Sequence, residues 1–113
     1  MHEMAISESI VGILEAEAVR QNFKRIKKVY LEIGPFAGIE IDALRFTFDA
    51  VTRGTLAENS ALEIITPEAR AWCLNCEKSV VITQRYDPCP DCGGHQLQTT
   101  SGEELKIKEL EVE

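Results

Sequence analysis

Histidine is scarce in this 113-residue chain, with one at position 2 and one at position 95. So few leave no Ser/His/Asp or Cys/His set to assemble for nucleophilic catalysis. A phosphate-cradling loop is also missing, because Gly93-Gly94 follows a cysteine rather than a strand. These absences argue against an enzyme. Positive charge is short as well: 12 Lys and Arg face 19 Asp and Glu, a net charge of −7. A nucleic-acid partner held through phosphate contacts would need clustered positive charge, so that class of partner is not expected. No apolar run approaches the length of a membrane span, and the start shows no basic region followed by an apolar export segment. The reading is a soluble, cytoplasmic chain with no membrane partner.

The residues that are present describe a globular protein. A hydrophobic fraction of 44% suits a packed core, and the length suits one compact domain with room for a small insert. Ile6, Ile10, Ile13 and Leu14 recur at helical spacing, widened by Val11 and Ala18, and predict a helix from near the start to about residue 21. Val29, Leu31 and Ile33 alternate with Tyr30 and Glu32, a half-buried strand stopped by Gly34-Pro35. Ile41, Leu44, Phe48 and Val51 return to helical spacing, with Gly54 placed as a C-cap. Leu62 to Thr66 and the alternating C-terminal stretch from Leu105 read as further strands, and the last needs an existing sheet to join. The fold class is therefore α+β: a small mixed sheet of about three strands with two helices, interrupted by a zinc-ribbon insert. The expected division is 1–70 for the first part of the α+β domain, 71–98 for the insert, and 99–113 for the strand that completes the domain.

The insert is identified by its cysteines. Cys73-Leu-Asn-Cys76 and Cys89-Pro-Asp-Cys92 are two C-x-x-C pairs separated by twelve residues. A tetrahedral ion held by four thiolates needs two ligands from each of two tight turns. A reducing compartment favours ligation over disulfides, although two disulfides or a redox dithiol are the alternatives that the spacing leaves open. Four thiolates accept zinc or iron. The first pair lacks a following glycine, which favours zinc. The segment has little core of its own, so the metal is expected to be structural. Around it, Lys78 and Arg85 are offset by Glu77, Asp87 and Asp91, with Trp72 and Tyr86 as the only aromatics, a poor platform for nucleic acid.

The chain end carries a second set of donors. A bulky residue at position 2 protects the initiating methionine from removal, which leaves the free amine on Met1. That amine, the amide nitrogens of His2 and Glu3, and the His2 imidazole can surround one ion, and an all-nitrogen set suits square-planar Ni(II) or Cu(II). The alternative is that His2 is simply a polar residue on a loose terminus. His95 reads as a solvent-facing turn residue.

Taken together, Met1-His2-Glu3, Leu31-Glu32-Ile33-Gly34, Leu44-Arg45-Phe46-Thr47-Phe48 and the two cysteine pairs resemble the hydrogenase nickel-incorporation (maturation) proteins of the HypA/HybF family, over essentially the whole chain. The resemblance implies a metallochaperone, not an enzyme, that carries Ni(II) to the large-subunit precursor of NiFe hydrogenase. It would work with an accessory GTPase and, in some organisms, with urease maturation proteins. Carried onto this sequence, it places nickel at the Met1 amine, His2 and the Glu3 amide, and structural Zn(II) at Cys73, Cys76, Cys89 and Cys92.

Overall fold

The computed structural model describes residues 3–113. The element order is α1 (Glu3–Gln21), β1 (Ile26–Ile33), α2 (Ile41–Val51), β2 (Ala61–Ile65), β3 (Ala69–Cys73), β4 (Lys78–Ile82), β5 (Leu97–Ser101) and β6 (Leu105–Val112). Two three-stranded sheets result, ordered β2-β1-β6 and β4-β3-β5. The C-terminal strand thus joins the sheet of the two earlier strands, as its inability to stand alone requires. By contact the chain divides into two units. One takes the chain up to Leu31 with Ile39–Ile64 and Ile107–Glu113; the other takes Glu32–Gly38 with Ile65–Lys106.

In the first unit, α1 buries Ile6, Ser7, Ile10, Val11 and Leu14. Ile13, expected on that face, is 52% exposed: it lies one residue off the stripe, and Ser7 takes the inward position instead. On β1, Val29 and Leu31 are buried and alternate with the partly exposed Lys28, Tyr30 and Glu32, as a strand with one covered face demands, while Ile26, also buried, lies three residues before Val29 and outside that alternation. On α2, Leu44 and Phe48 point inward at i, i+4 spacing. Each such aliphatic or aromatic side chain contributes roughly 1.5–3 kcal/mol by leaving water.

Helix α2 begins where the Glu40 side chain accepts from the Asp42 N–H at 3.0 Å. At its other end the Thr52 N–H and hydroxyl both donate to the Phe48 carbonyl, at 3.0 and 2.8 Å. The cap is therefore Thr52, and Gly54, at φ +78°, carries the left-handed turn two residues later.

The second unit is organised by β3, which pairs antiparallel with both β4 and β5. Its inward residues are Ala69, Ala71 and Cys73, packed with Val80, Ile82 and Cys89. Two of those six core residues are thiols and two are alanines, so apolar burial supplies little here. Arg85 braces the Phe36 segment by stacking on the Phe36 ring at 5.0 Å, donating to the Phe36 carbonyl at 3.2 Å and pairing with Glu103 at 3.2 Å. Among the described residues, no helix is long and apolar enough to cross a membrane.

Candidate metal centre

Each cysteine pair sits on a tight turn of the same design. In the first, the Glu77 N–H donates to the Cys73 carbonyl at 2.8 Å; in the second, the Gly93 N–H donates to the Cys89 carbonyl at 2.8 Å. Both closing residues are left-handed, Glu77 at φ +54° and Gly93 at φ +72°. Glycine adopts that conformation without penalty, whereas a residue with a Cβ does so at a cost of about 1–2 kcal/mol. Glu77 is exposed, so Glu77→Gly removes that strain without opening the core. We expect this variant to raise the stability of the second unit by about 1 kcal/mol, read as a higher denaturant midpoint of the metal-loaded protein.

Neighbouring strands aim the turns at each other. The Leu74 N–H donates to the Gln96 carbonyl at 2.9 Å, and the Cys89 N–H to the Gly94 carbonyl at 2.7 Å. All four Sγ atoms then lie within 4.8 Å of one another, and none is in a disulfide. Two approaches run between the pairs, Cys73 to Cys92 at 3.8 Å and Cys76 to Cys89 at 3.9 Å. A tetrahedron with zinc–sulfur bonds of about 2.3 Å has edges of about 3.8 Å, so the set fits a four-coordinate, closed, structural site. The four donors alone fill the coordination sphere, which leaves no open position for a substrate or water.

The electrostatics prepare the cluster for a cation. The Gly94 N–H, then the Asn75 side chain and the Cys76 thiol, hold the Cys92 thiol down at about 6. Its neighbour behaves oppositely: a hydrogen bond to Cys92, desolvation and contacts with Cys73 and Cys89 push Cys76 up to about 12. Without a metal, the cluster therefore accepts one negative charge at Cys92 and resists another at Cys76. A divalent ion relieves that repulsion by replacing thiol protons. Four thiolates around a divalent cation still carry two negative charges. Lys78, ion-paired with Asp91 and close to Cys76 and Cys89, keeps its ammonium protonated beside them. The Cys76 N–H adds a hydrogen bond to Cys73 Sγ at 3.3 Å.

Among the described residues, these four cysteines are the group of three or more metal-ligating side chains arranged to hold one ion. His95 is exposed and is not part of it. Of the terminal donors, Met1 and His2 lie outside the described residues. Glu3 opens α1, where its carboxylate accepts from the Glu40 N–H at 3.2 Å and its carbonyl accepts from the Thr47 hydroxyl at 3.3 Å. The spacing of hydrophobic residues gives no sign of the Ser7–Thr47 hydroxyl pair, at 2.8 Å, because both positions read as polar interruptions of an apolar face.

A helix-bearing α+β unit and a four-cysteine ribbon arranged to hold one ion, in one short chain, define a small metal-binding protein. The fold is similar to the solution structure of the nickel metallochaperone HypA from Helicobacter pylori, with a TM-score of 0.70 at 20% identity over 99% of this chain and 97% of that one. A second solution structure of a HypA protein gives a TM-score of 0.73, also at 20% identity, over 99% and 96%. Sequence carries the likeness further. Hydrogenase maturation factor HypA of Azotobacter vinelandii is 59% identical over the full length of both chains. The factor of the same name from Bradyrhizobium sp. (strain ORS 278) is 55% identical, again over both full lengths. The family model for hydrogenase/urease nickel incorporation, metallochaperone HypA, matches residues 1–112. This chain belongs to the HypA family, whose members are maturation factors and metallochaperones and not catalytic enzymes.

Proposed function

We propose that this protein takes up Ni(II) at its N-terminus and helps deliver it to the large-subunit precursor of NiFe hydrogenase. The observation that carries the proposal is the family match, which runs through both the terminal Met-His-Glu and the cysteine ribbon. The ligands are the Met1 amine, His2 and the Glu3 amide, a nitrogen set suited to a square-planar ion. An ionised amide bears negative charge, and Glu3 begins a 19-residue helix whose positive dipole end favours such a charge. The acidic balance of the whole chain favours cation capture in the same sense.

Zn(II) at Cys73, Cys76, Cys89 and Cys92 is structural and holds the second unit together. Ligands on a chain end can be displaced one at a time by an acceptor, which suits transfer better than storage. The working partners are the accessory GTPase of hydrogenase maturation and, where urease is made, its maturation proteins, all within the cytoplasm, where thiols stay reduced.

The test is metal content after equilibrium dialysis of untagged protein. The native chain should hold about one nickel beside about one zinc. His2→Ala, and separately one glycine added before Met1, should each abolish nickel binding and leave zinc in place. Nickel binding that survives both changes overturns the terminal site.

A further inference from the structure

The buried face of α1 contains a polar residue that packing alone does not explain. Ser7 is 0% exposed among Ile6, Ile10, Val11 and Leu14. A buried hydroxyl costs free energy unless it is hydrogen-bonded, and alanine at this position would carry no such cost. Ser7 Oγ lies 2.8 Å from Thr47 Oγ1, forty residues away on α2. Thr47 Oγ1 in turn lies 3.1 Å from the Leu44 carbonyl and 3.3 Å from the Glu3 carbonyl. Thr47 has one hydroxyl hydrogen, and where the nearer Leu44 carbonyl and the Glu3 carbonyl share it, Ser7 donates between the two hydroxyls. The Thr47 hydroxyl thus touches α1 at two points, the Ser7 hydroxyl and the Glu3 carbonyl. A second tie holds the same residue by its side chain, from the Glu40 N–H to Glu3 Oε2 at 3.2 Å.

We infer that Thr47, supported by Ser7, is a positioning residue for nickel: it pins the first turn of α1 to α2 and so fixes the direction in which the Glu3 amide is presented. This inference rests on the terminal-site reading above. Helix ends fray, and a ligand drawn from a fraying turn must lose backbone freedom when it chelates. A Glu3 held at both its carbonyl and its side chain has lost that freedom beforehand, which is the general route by which preorganisation raises affinity. Thr47 touches no nickel ligand atom. It acts through the residue that bears one, as outer partners do at metal sites.

Full-length, zinc-loaded Thr47→Val keeps the shape of the side chain and deletes the hydroxyl. Nickel affinity, measured by competition with a chromophoric chelator, should fall about tenfold, the lower end for loss of an outer-sphere partner at a metal site. Nickel release to excess chelator should quicken to match. The Ni(II) absorption bands of the saturated protein should keep the native energies, because the ligand set is unchanged, and Thr47→Ser should restore native affinity. A Thr47→Val protein that binds nickel as tightly as the native chain, while His2→Ala abolishes binding, overturns the positioning role and leaves the terminal site standing. Nickel binding unaffected by His2→Ala overturns both. Should Thr47→Val lose its helical circular dichroism, Ser7→Ala decides the matter: severalfold weaker nickel binding with a native spectrum supports the role, and unchanged binding overturns it.

Discussion

Cys73→Ser should strip the protein of its zinc and melt the second unit while α1 and α2 stay folded. Serine offers no thiolate at neutral pH, and three sulfurs cannot close the tetrahedron that the four Sγ atoms outline. Structural zinc in small modules supplies roughly 10–16 kcal/mol of apparent binding free energy, all of it folding free energy where the apo form is not stable. Nothing else in this unit approaches that. The core cluster around the cysteines is Ala69, Ala71, Cys73, Val80, Ile82 and Cys89, in which Val80 and Ile82 are the large aliphatics, with Phe36 and Leu97 partly buried against it. Cys73 is the most damaging of the four to lose, because its side chain is fully buried at the end of β3 and its Sγ accepts the Cys76 N–H of the first turn at 3.3 Å. Zinc analysis should fall from about one per chain to none. Amide resonances from Ala69 to Ser101 should collapse to random-coil positions, and helical circular dichroism should persist. A variant with native zinc content, or one that keeps dispersed ribbon resonances without metal, would refute the structural assignment. Chelation of the native protein at neutral pH should give the same pattern reversibly.

The second large effect is expected at Gly34→Ala. Gly34 follows β1, and its N–H donates to the Glu104 carbonyl at 2.8 Å, while the Phe36 N–H donates to the Gly102 carbonyl at 2.6 Å. A Cβ on Gly34 would overlap the Gly102 carbonyl itself, with the Glu104 carboxylate at 2.5 Å. The carboxylate can swing away. The Gly102 backbone cannot, because Gly102 sits at φ +129° with Phe36 and Ala69 occupying the space where its own Cβ would lie, and its carbonyl is held by the Phe36 N–H at 2.6 Å. Forcing a methyl group into a close-packed contact of this kind costs about 3 kcal/mol. The urea midpoint of zinc-loaded Gly34→Ala should drop accordingly. Gly38→Ala is the contrast: there a Cβ would meet nothing within 4 Å, so only its left-handed φ of +71° is penalised and the loss should be about 1 kcal/mol. Equal losses at both positions would refute the close-approach account.

Several elements are legible in the amino-acid sequence because their signals are local. The Ile6, Ile10, Leu14 repeat, the Val29, Leu31, Ile33 alternation and the Leu44, Phe48 pair each report burial through spacing within one element. The two C-x-x-C pairs are legible for the same reason, since each pair is one turn. Strands β3 and β5 are not. The inward face of β3 is Ala69, Ala71 and Cys73, too small to register as a hydrophobic alternation, and β5 from Leu97 to Ser101 is mostly Gln, Thr and Ser. Their pairing with each other makes them strands. Ile13 misleads in the other direction: it fits the helical repeat by number but projects one step off the buried stripe. Glu77 is hidden as well, because an ordinary side chain there takes the left-handed role that Gly93 advertises in the second turn.

Amino-acid order alone specifies the donors: four thiols in two turns, one histidine beside a chain end, and an acidic balance that suits cations better than nucleic acid. It takes the folded chain to establish that the sulfurs of the two pairs meet, Cys73 with Cys92 and Cys76 with Cys89, that Gly34 must yield space to Gly102, and that Thr47 reaches the carbonyl of Glu3. The reason is range. Donor chemistry and periodicity belong to neighbouring residues, whereas convergence depends on backbone pairings and contacts between segments about thirteen to seventy residues apart, whose register no local pattern encodes.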